Sequence, residues 1–355
     1  MSDTDPSTSP APASAAEQAH QDALEKTFAG RLKETVEGYY EVPTVLFVNK
    51  IDLGMAPLPD IAFFNDKDGK VEVLRQADQP YSALALSNFE KILVRTEDFG
   101  DLKRFAEQQI VSGVGKGAMP VEQRMDTLRR AAILMVEDLF NNPSPENINK
   151  SNKMVGSFVY VLMKEPEAYL HLAKLSSHDH YTLQHSVGTA VNSIILGRKA
   201  GIKNPQDLEE LGLGGLLHDI GKVKVKKEII NKEGPLDEAE WDEMRQHSQW
   251  GYEIVKDVPV IKDRTKAAIL EHHEDKTGGG YPRHMQWNDV HLFSKIVCIS
   301  DIFNALTTNR SYSKAREPFD AFRLMREKIH HKIDDELFRY LVLIYGGQLK
   351  DLKTG

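Results

Sequence analysis

The chain holds a single cysteine, Cys298, among 355 residues. One thiol cannot close an intrachain disulfide, and it cannot build the multi-thiolate sites of zinc ribbons. No run of about 18 apolar residues occurs, so the sequence offers no transmembrane helix. Positive charge is short as well: 45 Lys and Arg stand against 53 Asp and Glu, a formal net charge of −8. That balance argues against binding a nucleic-acid polymer, because phosphate backbones are held by excess cation. A small anion remains compatible, provided a local cluster of cations or metals holds it. Histidine is nearly missing from the first half: of 13, only His20 precedes residue 171. Imidazole is the commonest metal ligand, so the skew directs attention to the second half.

Residues 1–16 are rich in Ser, Pro and Ala, with neither a basic start nor an apolar core. They read as a disordered tail, not a signal peptide, and the expected compartment is the cytoplasm. Ala15 to Tyr39 reads as a charged helix. Thr44 to Val48, Asp60 to Phe64, Lys70 to Leu74 and Ile92 to Arg95 read as short strands, with a turn at Asp66-Lys67-Asp68-Gly69. Together they predict a small α+β domain over residues 17–110, regulatory or dimerising in role. A helical linker over 111–150 and a mainly α domain over 151–355 follow. In that domain apolar residues recur at helical spacing in Asn152 to Met163, Thr182 to Lys199, Pro205 to Leu217, Asp237 to Lys256, Arg264 to His272, Phe293 to Thr307, Pro318 to His331 and Asp334 to Tyr345. Gly201 and Gly221 stand where helix ends or tight turns are expected.

Three stretches of the first half imitate motifs. Asn49-Lys50-Ile51-Asp52 follows an apolar strand as a guanine-specificity loop would, but no phosphate loop precedes it. Gly113-Val114-Gly115-Lys116-Gly117 has Ile110 where a phosphate loop needs its first Gly, and Gly117 where it needs Ser or Thr. It reads as a flexible linker. Asp66-Lys67-Asp68-Gly69 lacks the later ligands of a calcium loop.

The second half carries the chemistry. His185 lies early in a helix. His218-Asp219 ends the run Leu216-Leu217, and Ile220-Gly221-Lys222 follows. His247 lies in the stretch Trp241 to Lys256, His272-His273 follows Ala268-Ile269-Leu270-Glu271, and Asp301 follows Ile296-Val297-Cys298-Ile299-Ser300. Each polar group interrupts an apolar helical run. Burying it without a partner would cost several kcal/mol. A metal partners several such groups at once, and a carboxylate such as Asp219, with two oxygens, is a natural bridge. Lys222, four residues after His218, shares its face if the helix persists, and a cation there suits an anionic substrate. A lone buried histidine is more often a hydrogen-bonded core residue, so the set carries the argument and no member does alone. His20, His284, His291, His330 and His331 read as surface residues, and His171, His178 and His180 as loop residues.

In this order the segments resemble the HD-GYP family, a branch of the HD phosphohydrolases. The match runs over residues 175–345, through His185-Ser186, His218-Asp219-Ile220-Gly221-Lys222, Lys232-Glu233-Gly234-Pro235-Leu236, His247 with Gly251, His272-His273-Glu274 leading to Gly280-Tyr281-Pro282, and Asp301 in Asp301-Ile302-Phe303-Asn304-Ala305-Leu306-Thr307. The resemblance implies an all-helical domain and cyclic di-GMP phosphodiesterase activity in a bacterial cytoplasm. It implies His185, His218, Asp219, His247, His272, His273 and Asp301 as metal ligands, and Asp219 and Lys222 as catalytic. Lys222, Tyr281, Arg310 and Lys314 would meet substrate, and the Gly280-Tyr281-Pro282 loop or a homodimer contact would serve protein partners. Tyr181 occupies the place where three-metal members have Glu, so two divalent ions are expected, iron or manganese before zinc. Paired metals lower the pKa of a shared water, and the resulting hydroxide attacks phosphorus in line with the departing ribose 3′ oxygen, giving linear pGpG and then GMP. Thr277, Ser311 and Ser313 depart from the family pattern. They keep two alternatives open: another nucleotide as substrate, or a non-catalytic cyclic di-GMP receptor or scaffold.

Overall fold

The computed structural model describes residues 34–36, 39–43, 61–65, 70–75, 91–95, 121–165, 168–169, 183–230, 232, 234–308 and 315–347. Among the described residues the first half contributes five strands: β1 (Glu34–Val36), β2 (Tyr39–Pro43), β3 (Ile61–Asn65), β4 (Lys70–Arg75) and β5 (Lys91–Arg95). They form an antiparallel sheet in the order β1-β2-β5-β3-β4. The β3–β4 pair closes with Asn65 opposite Lys70, bracketing the expected turn. One expectation fails: residues 34–36 and Tyr39 are strand, not the end of a helix. Val36, Tyr39, Tyr40 and Val42 are β-branched or aromatic and suit a pleated surface, and β2 pairs along its whole length with β5. The rest of that expected helix, the strand at 44–48 and the three motif-like loops lie outside the described residues.

From Val121 the described chain is helical: α1 (Val121–Asn141), α2 (Pro145–Lys164), α3 (Leu183–Lys199), α4 (Pro205–Leu217), α5 (Lys227–Ile230), α6 (Glu238–Arg245), α7 (His247–Val255), α8 (Asp263–Glu271), α9 (Leu292–Thr307), α10 (Pro318–Leu324) and α11 (Asp335–Tyr345). A 3₁₀ turn spans Ile220–Lys224, and a π turn (Met325–Ile329) and a 3₁₀ turn (His330–Lys332) continue α10. Helix starts follow capping chemistry. Ser144, Asn204 and Asp334 each accept a main-chain N–H of the first turn, and Pro145 and Pro205 open their helices where no donor is needed. Helix α6 has a reciprocal cap: Asp237 Oδ1 accepts from Glu240 N at 2.9 Å, and Glu240 Oε2 accepts from Asp237 N at 2.8 Å. Asp237→Ala is expected to cost about 1 kcal/mol, a fall of roughly 2–4 °C in a thermal melt.

One buried cluster joins these helices, from Met125 and Leu128 of α1 to Leu341 and Ile344 of α11. Helix α1 falls in the stretch read as a linker, yet its Met125, Leu128, Ala132, Val136 and Leu139 lie in the same core. Helix α3 packs on α4 and α9, and α8 packs on α4, α7 and α9. Gly212 and Gly215 let α4 approach α3 closely: a Cβ on Gly215 would lie 3.0 Å from Ala190 Cα. Among the described residues no helix is long and apolar enough to cross a membrane.

Candidate metal centre

The ligand-type residues sit largely at helix ends. His218 is the C-cap of α4, with Asp219 next to it. His247 is the first residue of α7. His272 is the C-cap of α8, followed by His273. His185 occupies the start of α3, and Asp301 alone stands inside a long apolar helix, α9. The single helix expected over residues 237–256 is broken at Gln246, and the break has a chemical consequence. Carbonyls in the last turn of a helix lack their regular i+4 donor. His218 Nδ1 donates to Gly215 O at 2.7 Å, His247 Nδ1 to Met244 O at 2.8 Å and His272 Nδ1 to Ile269 O at 2.9 Å. Each acceptor is a last-turn carbonyl of α4, α6 or α8. Since a carbonyl only accepts, each Nδ1 carries hydrogen, and in the neutral ring each Nε2 presents a lone pair.

These nitrogens converge with the two carboxylates. His247 Nε2 lies 3.3 Å from His272 Nε2, and His247 Nε2 lies 3.5 Å from Asp219 Oδ1. His218 Nε2 lies 3.3 Å from Asp219 Oδ2 and 3.6 Å from Asp301 Oδ1, and His185 Nε2 lies 2.8 Å from Asp301 Oδ1. Two groups result, His247–His272–His273 and His185–His218–Asp219, each with its ligand atoms within 4.8 Å of one another. Asp219 turns one oxygen to each group. All seven residues expected from the sequence are therefore within one pocket of side chains, and all but the partly exposed His273 are buried.

Lys222 reaches the site by a different route from the one expected. The helix stops at Leu217, and the 3₁₀ turn brings the buried Lys222 Nζ to 2.9 Å from Asp219 Oδ2. Gly221 is demanded here by packing, not by backbone angle. A Cβ on it would fall 1.8 Å from His247 O and 2.4 Å from Gly251 N. Gly201, in contrast, ends α3 with φ +98° and open space around it.

Burial disfavours charge on every ring. It lowers His247 to about 4, with Lys222 adding to the effect, and holds His272 and His273 well below the usual imidazole range. His185 is lowered for the same reason. His218 is the exception: burial opposes its charge, but Asp219 and Asp301 outweigh burial and raise it to about 10. Burial also works against the two carboxylates. His218 and Lys222 overcome it at Asp219, and His185 and His218 at Asp301, so both stay ionised far below the usual carboxyl range.

The residues fit a metal by the geometry of their own atoms. Two neutral rings with lone pairs 3.3 Å apart repel unless a cation lies between them. The buried His185 Nε2, His218 Nε2 and Asp301 Oδ1 make no aligned hydrogen bond, although they are crowded together. Atoms that approach without bonding one another are what ligands of a common cation look like.

The sequence assigns no role to three supporting acids, Glu271, Glu274 and Asp275, although Glu274 lies in the His272-His273-Glu274 motif. Glu271 Oε2 accepts from His291 N at 3.0 Å and Ser294 Oγ at 2.9 Å, while its Oε1 pairs with Arg283. Glu274 accepts from Arg283 N at 2.7 Å and Met285 N at 2.9 Å. Asp275 Oδ1 accepts from Thr277 N at 2.8 Å and Gly279 N at 3.2 Å. These three acids fold the chain after His273 back on itself, and Tyr281 N donates to His273 O at 3.1 Å. The Tyr281 ring then stacks on His273, with centroids 4.6 Å apart. Their signal in the sequence was an acid at or just after the end of an apolar helix. His291, expected on the surface, is half-buried and caps α9 by accepting from Phe293 N at 3.0 Å. His284, His330 and His331 are exposed. Arg310, Lys314, Tyr181, His20, His171, His178 and His180 lie outside the described residues.

Residues 171–337 match the family model described as HD domain. A cyclic di-GMP phosphodiesterase of Pseudomonas aeruginosa is 34% identical over 198 residues, covering 55% of this chain and 47% of that protein. A 3'3'-cGAMP-specific phosphodiesterase of Vibrio cholerae is 36% identical over 161 residues, covering 45% of this chain and 35% of that protein. The chain thus spans less than half the length of either relative. The solved structure of an HDG"Y"P protein from Bdellovibrio bacteriovorus shares the fold, with a TM-score of 0.67 at 20% identity, over 87% of this chain and 100% of that one. Residues 171–337 are thus similar to the HD domain, and the chain shares the fold of the Bdellovibrio HDG"Y"P protein.

Proposed function

We propose that the chain is a metal-dependent phosphodiesterase that hydrolyses cyclic di-GMP to linear pGpG and then GMP. The observation that carries the reading is the pair of unprotonated nitrogens, His247 Nε2 and His272 Nε2, facing each other at 3.3 Å beside a carboxylate that also reaches His218. His247, His272 and His273 would hold one divalent cation, His185, His218 and Asp301 would hold a second, and Asp219 would contribute a carboxylate oxygen to each. Imidazole and carboxylate without sulfur suit iron or manganese. When bound, such a pair supplies an acidified water and offsets charge on the phosphoryl oxygens.

The chain's own residues do the rest. Lys222 fixes one Asp219 oxygen and brings positive charge to the place where an anionic substrate binds. Tyr281, held over His273, offers an aromatic face at the rim of the site. Arg310 and Lys314 are assigned to substrate phosphates by motif position. The strands at 34–95 belong to a regulatory or dimerising unit over residues 17–110. The likeness to the substrate-specific Vibrio relative favours one second reading, in which the mixed dinucleotide 3'3'-cGAMP is cleaved.

The test is a digest. Protein purified without oxygen and loaded with manganese or iron is incubated with cyclic di-GMP or 3'3'-cGAMP, and the products are separated by chromatography. Linear pGpG from the first substrate is expected. Cleavage of the mixed dinucleotide alone selects the second reading, and tight binding of cyclic di-GMP without product makes the chain a receptor.

A further inference from the structure

His218, His247 and His272 each have Nδ1 fixed by a main-chain carbonyl. His185 differs. Its Nδ1 faces a side chain, Asn304 Nδ2 of α9, at 2.9 Å. The orientation of that amide is held from two sides. Nδ2 also donates to His185 O at 3.1 Å, and Oδ1 occupies space left by Gly188, where a Cβ would fall 2.3 Å away. An amide nitrogen only donates, so His185 Nδ1 accepts and the ring proton sits on Nε2. That is the atom 2.8 Å from Asp301 Oδ1.

We propose that Asn304 is a positioning residue that sets the tautomer of His185 and thereby makes the group containing His185 and His218 the weaker of the two metal-binding groups. The inference rests on the metal reading above. A protonated Nε2 cannot ligate a cation. For His185 to do so, the proton must move from Nε2 to Nδ1, and the amide must turn to present Oδ1 as acceptor. His218, His247 and His272 already have Nδ1 protonated and need no exchange of tautomer. Ring orientation by the atom behind a ligating histidine sets metal affinity by about 10- to 100-fold. A carboxylate at position 304 accepts from Nδ1–H without turning, gives up the hydrogen bond to His185 O, and has the shape of the amide, so the Gly188 cradle admits it.

Metal-free full chain is titrated with Co²⁺ and followed by visible ligand-field absorption, and ring ¹⁵N shifts report the tautomer of His185. The unsubstituted chain is expected to take up Co²⁺ in two steps, with His185 in the Nε2–H form before metal. Asn304→Asp is expected to tighten the weaker step by about 10- to 100-fold and move His185 to the Nδ1–H form, while Asn304→Leu, which removes the amide donor, releases the Nε2–H form without that gain in affinity. Uptake and tautomer unchanged in both variants overturn the inference and leave the metal reading standing, as does an Nδ1–H form in the unsubstituted chain. No Co²⁺ uptake by the unsubstituted chain overturns both.

Discussion

His218→Ala and Asp219→Asn are each expected to abolish the proposed turnover of cyclic di-GMP, by about 10³-fold or more, the scale on which a preorganised charge at a reacting centre acts. Asp219 is the residue on which both groups depend, since its two oxygens lie 3.3 Å from His218 Nε2 and 3.5 Å from His247 Nε2. Replacing it by Asn keeps the shape and an acceptor for Lys222 but removes the charge that a bridging ligand needs. His218→Ala removes the nitrogen shared between Asp219 and Asp301. Metal content, measured by plasma mass spectrometry, falls with turnover in both variants, while far-ultraviolet circular dichroism stays that of the parent. Full hydrolysis by both variants would contradict the assignment.

Gly221→Ala carries the largest expected effect on folding. The added methyl meets backbone on both contacts, His247 O at 1.8 Å and Gly251 N at 2.4 Å, so no side chain can rotate away to make room. The 3₁₀ turn must separate from α7, carrying Asp219 and Lys222 away from His247. Overpacking of this severity costs about 3 kcal/mol or more, roughly 6–12 °C in melting temperature. Gly201→Ala is the matched comparison. It faces open space at φ +98°, so its cost is the conformational one of about 1 kcal/mol, with metal binding intact. A Gly221→Ala protein that melts with the parent would show that the turn and α7 are not packed as described.

The contrast between these glycines marks what a sequence can show. A glycine after a helical run signals a helix end, and Gly201 is one. Gly221 carries the same letter for another reason, a contact with a segment 26 residues away, which no local pattern encodes. The ligand-type residues were legible because buried polar groups stand out against apolar helices: His218, His272 and Asp301 each follow an apolar run. The break at Gln246 was not, since residues 237–256 keep helical spacing throughout. What accompanies the break is the contact of the Met244 carbonyl with His247 Nδ1. Asn304 escaped notice although it lies one turn beyond Asp301 on the same helix, because its significance depends on α3 bringing His185 and Gly188 against it. Strand β1 and Tyr39 differ from the expected helix for a similar reason: β1 pairs with β2, and β2 pairs with β5, a partner some fifty residues on.

The central claim is that His185, His218, Asp219, His247, His272, His273 and Asp301 enclose a pair of cations. Anomalous diffraction at the manganese edge, from crystals of the chain loaded with manganese, tests it without reference to any substrate. Two peaks are expected, one against His247, His272 and His273 and one against His185, His218 and Asp301, with Asp219 between them. A map with no peak among these residues would contradict the account.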